Sequence, residues 1–178
     1  TSPAPHAHCS EEIKKHVNIP VATVARINEP WVAEELIENG KCDMCMIGRA
    51  NLCDSEFANK AFEGKTDDIR PCIGCGRCLT GIMMGKRISC TVNPSVEDDT
   101  VEKATEKKKV LVIGGGPAGM EAAYVAHQRG HEVVLCEKSN ELGGQLRIAA
   151  VPIAKQELCR VIKYMKRRLD NAGIEVRL

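Results

Sequence analysis

The chain lacks an excess of charge of either sign. Its 178 residues hold 25 Lys and Arg against 24 Asp and Glu, a formal net charge of +1. That balance removes the electrostatic case for a nucleic-acid or acidic-membrane partner. Long apolar runs are also missing, since none approaches the roughly 18–20 residues that a membrane span needs. The opening Thr1-Ser2-Pro3-Ala4-Pro5 has neither the charged nor the apolar stretch of a secretory signal. There is no internal repeat and no low-complexity tract. An initiator Met is absent and Leu178 falls within a strand pattern, so the sequence reads as a segment of a larger protein. What is there is ordinary for a folded domain, with 43% hydrophobic and 28% charged residues. The exception is ten cysteines in 178 residues. That is below the roughly 8–10% of disulfide scaffolds. They read as metal ligands and core residues in a reducing cytoplasm.

The first third alternates helix and strand signals. Ser10 is placed to cap a helix with Glu11 and Glu12 in its first turn and Lys14, Lys15 and His16 in its last. Ile19 to Ala25 is a β-branched run, and Asp43 to Ile47 a second buried strand. Between them Asn28 is expected to cap a helix with Pro30 in its first turn, Gly40 after its end, and Val32, Ala33, Leu36 and Ile37 on its apolar face. From about Glu63 to Lys109 glycine, cysteine and charge dominate, and the run from Glu97 to Lys109 reads as a linker. Alternation then returns. Val110–Ile113 is a strand, Pro117–Arg129 a helix closed by Gly130, and Glu132–Cys136 a strand. A helix follows with Leu158, Val161, Ile162, Met165 and Leu169 on one face, ending near Gly173, and Ile174 opens a further strand. The predicted class is α/β with parallel sheets.

Cys72, Cys75, Cys78 and Cys90 have the spacing C-x2-C-x2-C-x11-C. Three thiolates within seven residues can wrap one face of a cubane cluster while a distant fourth closes it. Gly74 and Gly76 permit the tight turns and let backbone amides point at the sulfurs. Zinc more often draws on two separated pairs, so the spacing favours [4Fe–4S] and leaves zinc as the alternative. Cys42 and Cys45 form another C-x2-C, but on a predicted buried strand, where cysteine behaves as a small hydrophobe. Cys9, Cys53, Cys136 and Cys159 read as structural, and His6 and His8 as solvated loop residues.

Gly114-Gly115-Gly116-Pro117-Ala118-Gly119 is G-x-G-x-x-G between a strand and a helix, with Glu137 at the end of the next strand. Gly114 makes the turn, Gly116 lets a pyrophosphate approach, and Gly119 allows close helix–strand contact. The helix N-terminus offers N–H groups to phosphates. Glu137 is placed to accept from a ribose hydroxyl, which argues against a 2′-phosphate there. Spacing alone does not separate FAD from NAD.

Together these motifs resemble, over nearly the whole chain, the NADH:flavin oxidoreductases built like 2,4-dienoyl-CoA reductase, enoate reductase and trimethylamine dehydrogenase. That resemblance implies three parts: the last strands of an FMN-binding (β/α)8 barrel (1–64), an iron–sulfur segment and linker (65–108), and the start of a Rossmann-like FAD/NAD domain (109–178). It carries over Ala25, Arg26, Gly48 and Arg49 as FMN-phosphate contacts. Cys72, Cys75, Cys78 and Cys90 become cluster ligands. Gly114, Gly116, Ala118, Gly119, Glu137, Gly144 and Gln145 become the FAD contacts, or ADP contacts as in some amine dehydrogenases.

The implied activity is electron transfer from NAD(P)H through FAD and the cluster to FMN, for reduction of an enoate or enoyl-CoA. An amine dehydrogenase running electrons out from FMN is the alternative. The x2 between the second and third cysteines is nearer the amine dehydrogenases, whereas x11 is nearer the reductases. A zinc-stabilised nucleotide-binding module without redox chemistry is the competing class. The expected partners are a small-molecule substrate, the remainder of the parent chain and a second copy in a homo-oligomer. Catalytic proton donors are expected outside these residues. The stretch alone is expected to expose strand edges and to lack turnover.

Overall fold

A computed structural model describes residues 2–96, 98 and 100–178. The chain forms two compact units that divide between residues 97 and 98. In the first, α1 (Ala7–Lys14), β1 (Ala22–Val24), α2 (Pro30–Glu38) and β2 (Met44–Met46) form a βαβ arrangement with a leading helix. β1 and β2 pair in parallel, with Thr23 opposite Cys45. Ala7, Ile27, Val32, Leu36 and Cys42 pack into one core. Helices α3 (Arg49–Cys53) and α4 (Phe57–Phe62) follow, and Ala50, Phe57 and Ile69 form a second core against which Cys72 packs. The cysteine segment, with α5 (Arg77–Met83), therefore belongs to the first unit.

Several local expectations are corrected. α1 starts at Ala7, so Ser10 lies inside it, buried, with its hydroxyl donating to Ala7 O at 2.8 Å rather than capping. His8 is accordingly an exposed helical residue, not a loop one. α2 is capped by Glu29, not Asn28; the Pro30 ring sits at N1, as expected, and Gly40 follows the helix with φ +68°. The strands are one-sided: Val24, Met44 and Met46 are exposed, and so is Ile37 of α2.

The second unit is a three-stranded parallel sheet, β3 (Lys109–Ile113), β4 (Glu132–Cys136) and β5 (Glu175–Arg177), in that order. Its register runs Leu111–Val134–Glu175. α6 (Pro117–Gln128) connects β3 to β4; α7 (Gln145–Ala149) and α8 (Glu157–Asn171) lead to β5. Val161, Ile162, Tyr164, Met165 and Leu169 of α8 are buried, and Leu158 is half-buried. Arg168 lies 3.7 Å from the Tyr124 ring centroid and pairs with Glu121 at 2.6 Å, fixing α8 on α6. The expected linker includes Glu97 and Asp99, which lie outside the described residues. From Thr100 onward the connection is pinned by Ala104 N–H to Arg129 O at 2.9 Å and Lys103 Nζ to Gln128 O at 2.7 Å. Among the described residues no helix is long and apolar enough to cross a membrane.

Candidate functional site

The cysteine loop is held from below by one carboxylate. Asp54, buried just after α3, accepts from Arg70 N–H at 2.7 Å, from Lys60 Nζ at 2.6 Å and from Glu56 N–H at 3.1 Å. Two asparagines brace the loop at its ends. Asn28 Nδ2 donates to Cys72 O at 3.3 Å, and buried Asn93 donates to Leu52 O at 3.4 Å. Asp54 and Asn93 were not singled out by the sequence and Asn28 was read only as a helix cap, because these partners are 16, 41 and 44 positions away.

Between these braces the backbone turns twice through left-handed glycines, Gly74 at φ +63° and Gly76 at φ +75°, and Gly76 opens α5. The turns bring Cys72, Cys75, Cys78 and Cys90 around one pocket, to which Arg49 and Leu52 of α3 also contribute. Cys78 is buried, Cys72 and Cys90 are half-buried, and Cys75 is exposed, 3.2 Å from Thr91 Oγ1.

Backbone amides address the sulfurs. Burial raises the Cys72 thiol above its ordinary range, opposed by the Gly74 amide and the Arg49 guanidinium. Cys90 is held well below that range, first by the Cys53 thiol and then by the amides of Asn93 and Val92, with burial opposing. Cys53 is pushed the other way, by Cys90 first and burial second. This fifth thiol, read from sequence as structural, is fully buried at the end of α3.

Among the described residues no three His, Cys, Asp or Glu side chains converge as they would on one metal ion. The four thiols frame a space instead, and a soft, all-sulfur donor set with amides aimed at it fits an iron–sulfur cluster. The residues expected at an FMN phosphate lie beside this loop. Arg49 lines the pocket, and the Arg26 guanidinium is the nearest group to a Cβ built on Gly74, at 3.7 Å. Ala25 and Arg26 after β1 have φ +90° and +50°, a strained pair of non-glycine residues, while Gly48 caps α3. Cys42 and Cys45 stand 3.7 Å apart, Sγ to Sγ, within the first core.

In the second unit Gly114 turns at φ +106° and its N–H donates to Cys136 O at 2.7 Å. A Cβ on Gly119 would stand 1.9 Å from Gly114 O, and one on Gly115 2.3 Å from Leu142. One on Gly116 would meet nothing within 4 Å, so space is open over that residue. Gly143 N–H donates to Gly115 O at 2.8 Å, which brings Gly144 and Gln145 at the start of α7 against the turn. Ala118 is in the first turn of α6 and is exposed. Glu137 accepts from Gly115 N–H at 2.6 Å and from Ser139 N–H at 2.9 Å and O–H at 3.1 Å. The Ser139 and Gly115 amides hold its carboxyl below the ordinary carboxylate range. A carboxylate has about four acceptor positions, so a further donor such as a ribose hydroxyl can be accommodated.

Comparison with known proteins finds similar chains over nearly the whole sequence. A family model described as FAD dependent oxidoreductase matches residues 109–169. NADH oxidase of Thermoanaerobacter brockii is 45% identical over 96% of the chain and 27% of that protein. Bilirubin reductase of Mediterraneibacter gnavus is 44% identical over 95% of the chain and 27% of that protein. The structure of 2-naphthoyl-CoA reductase with 2-naphthoyl-CoA superposes with a TM-score of 0.93 at 33% identity, covering 100% of the chain and 28% of the reductase. The chain thus spans about a quarter of the length of the relatives it matches. On this likeness over nearly its whole length, the chain belongs to the flavin and iron–sulfur oxidoreductase family of NADH oxidase, the enoate reductases and trimethylamine dehydrogenase.

Proposed function

We propose that these residues form the cluster-bearing and nucleotide-binding part of an NAD(P)H-dependent oxidoreductase that reduces an activated C=C bond of the enoate or enoyl-CoA type. The observation that carries this reading is that Cys72, Cys75, Cys78 and Cys90 line one pocket. When bound, the cluster would carry single electrons between flavins, which exchange either one or two, while nicotinamide supplies a hydride. The chain's own part is to hold and tune. Cys72, Cys75, Cys78 and Cys90 would ligate a [4Fe–4S] cluster. The amides of Gly74, Val92 and Asn93 would offset charge on the sulfurs. The open space over Gly116 and the first turn of α6 would receive the FAD pyrophosphate, with Glu137 at a ribose.

Ile19 to Ile27 would form the seventh barrel strand, and Asp43 to Arg49 the eighth and its loop. Ala25, Arg26, Gly48 and Arg49 would then hold the FMN phosphate, a role the strained Ala25–Arg26 backbone and two guanidinium groups support. Relatives named as reductases favour the reductase reading, whereas the C-x2-C-x2-C spacing favours an amine dehydrogenase.

Iron, acid-labile sulfide and released flavin are to be measured on the full-length protein purified without oxygen. About four irons with matching sulfide, lost together in Cys75→Ser, are expected. One zinc without sulfide would overturn the redox reading. NAD(P)H oxidation driven by an α,β-unsaturated acid or its CoA thioester, but not by methylated amines, separates the reductase from the dehydrogenase.

A further inference from the structure

α5 ends in a tight return. Gly85, at φ +63°, donates its N–H to Ile82 O at 3.0 Å, and Lys86 N–H donates to Gly81 O at 2.9 Å. These two bonds satisfy the last carbonyls of the helix and turn the chain back along it. Gly81 leaves room for the return, since a Cβ there would stand 3.4 Å from Arg87 O. Between the helix and residues 86–89 lies an open cleft of about 620 Å³. Small-molecule sites usually span roughly 300–1,000 Å³. Arg77, Lys86 and Arg87 all line it, and among the described residues no Asp or Glu does. All three cations are exposed, and neither Arg77 nor Lys86 has an ion-pair partner among the described residues. The chain as a whole carries only +1, so this is a local concentration of charge. Three like charges facing one space repel each other unless an anion sits among them.

We infer that this cleft binds a small molecule carrying at least two negative charges, of the phosphate ester or anhydride class. A single carboxylate would answer only one of the three cations, whereas a phosphate group carries up to about two negative charges and three acceptor oxygens. Each guanidinium can pair two N–H groups with two phosphate oxygens, and the lysine adds a point charge. The half-buried Ser89 supplies a hydroxyl at the wall, while Thr80 is committed, its hydroxyl donating to Gly76 O at 3.2 Å. Met84 and Ile88 give the cleft an apolar side for the rest of the ligand. The cleft and the four-cysteine pocket share Cys75 as a border, but none of the three cations lines that pocket. Binding in the cleft therefore needs neither cluster nor flavin.

Titration calorimetry on the full-length protein, purified without oxygen, tests this with inorganic phosphate, pyrophosphate and adenosine 5′-monophosphate in turn. Pyrophosphate is expected to bind more tightly than inorganic phosphate, and more weakly as salt rises. Lys86→Gln and Arg77→Gln should each weaken it by about tenfold or more, the loss of one hydrogen bond between charged groups. Lys15→Gln, at the end of α1 and outside the cleft lining, should leave it unchanged. Adenosine monophosphate binding more tightly than inorganic phosphate assigns the site to a nucleotide with its base against Met84 and Ile88. Equal affinity of the two assigns it to a free phosphate or polyphosphate. No binding of any probe at low salt, or equal affinity in wild type and Lys86→Gln, would overturn the site. Arg77 lies between two cysteines of the loop, so iron is measured on each variant, and Lys86→Gln decides where Arg77→Gln loses it. Wild type that binds pyrophosphate but holds no iron and sulfide would overturn the cluster reading and leave the cleft standing.

Discussion

Glu137 illustrates how one side chain can link the nucleotide turn to pH. Its carboxylate ties the glycine-rich turn, through Gly115, to the loop after β4, through Ser139. Those donors favour the charged form, so its folded-state pKa lies below the ordinary 4.5. The sign follows from linkage. A carboxyl depressed in the folded state contributes stability that is fully present above its unfolded value and is lost as pH falls through the depressed one. Above pH 4.5 the wild type should therefore unfold at higher urea than Glu137→Gln, and the gap between them should close on further acidification. Parallel urea titrations at pH 7 and at about pH 3.5 check this; a gap that persists in acid would show that Glu137 acts through shape rather than charge.

At the scale of the element, the glycines of the nucleotide turn separate packing from binding. Gly119 lets α6 sit against β3, because an added methyl there would lie 1.9 Å from the Gly114 carbonyl, which is backbone and cannot swing aside. Gly119→Ala should cost about 1–3 kcal/mol of stability, the usual range for overpacking. Gly116 has φ −73° and open space around it. Gly116→Ala should leave stability within about 0.5 kcal/mol of wild type, as surface substitutions do. It should nevertheless lower the flavin content, since the methyl would stand where a pyrophosphate approaches. Denaturation and flavin release on the same two variants would show whether the roles divide this way. Equal loss of flavin and stability in both would contradict it.

This motif was readable from residue order because all its parts fall within one βαβ unit: strand, turn, helix and acid. The cysteine motif was readable for the same reason, three thiols lying within seven residues. What surrounds it was not. Asn28 looked like a helix cap because Pro30 follows it closely, yet its amide is spent on Cys72 O, 44 residues on. Ser10 looked like a cap because two glutamates follow, but the turn at His6 starts α1 earlier and the hydroxyl bonds back to Ala7. Cys53 carried no spacing signal at all.

The whole molecule consists of two units with separate cores, and this has a thermodynamic consequence. The first unit rests on a two-stranded parallel sheet and two small clusters, and its strands leave Val24, Met44 and Met46 exposed. A pair of strands is marginal without further pairing or cover. The second unit has three strands in parallel register, with α8 buried along five residues and clamped to α6 by Arg168. Unfolding of residues 1–178 by urea should consequently show two transitions rather than one, the first unit melting at the lower concentration. The order can be read by placing the probe in each unit. Trp31, on α2, reports the first by fluorescence, and Tyr124 and Tyr164, stacked around Arg168, report the second in the near ultraviolet. Four thiolates bound to a cluster would link the segment around residue 72 to Cys90 and bind only the folded first unit. Removing iron with a chelator should then lower the Trp31 midpoint and leave the tyrosine midpoint in place. Coincident midpoints that move together on chelation would mean that the two units fold as one cooperative body, and the assignment of the cysteine segment to the first unit alone would have to be given up.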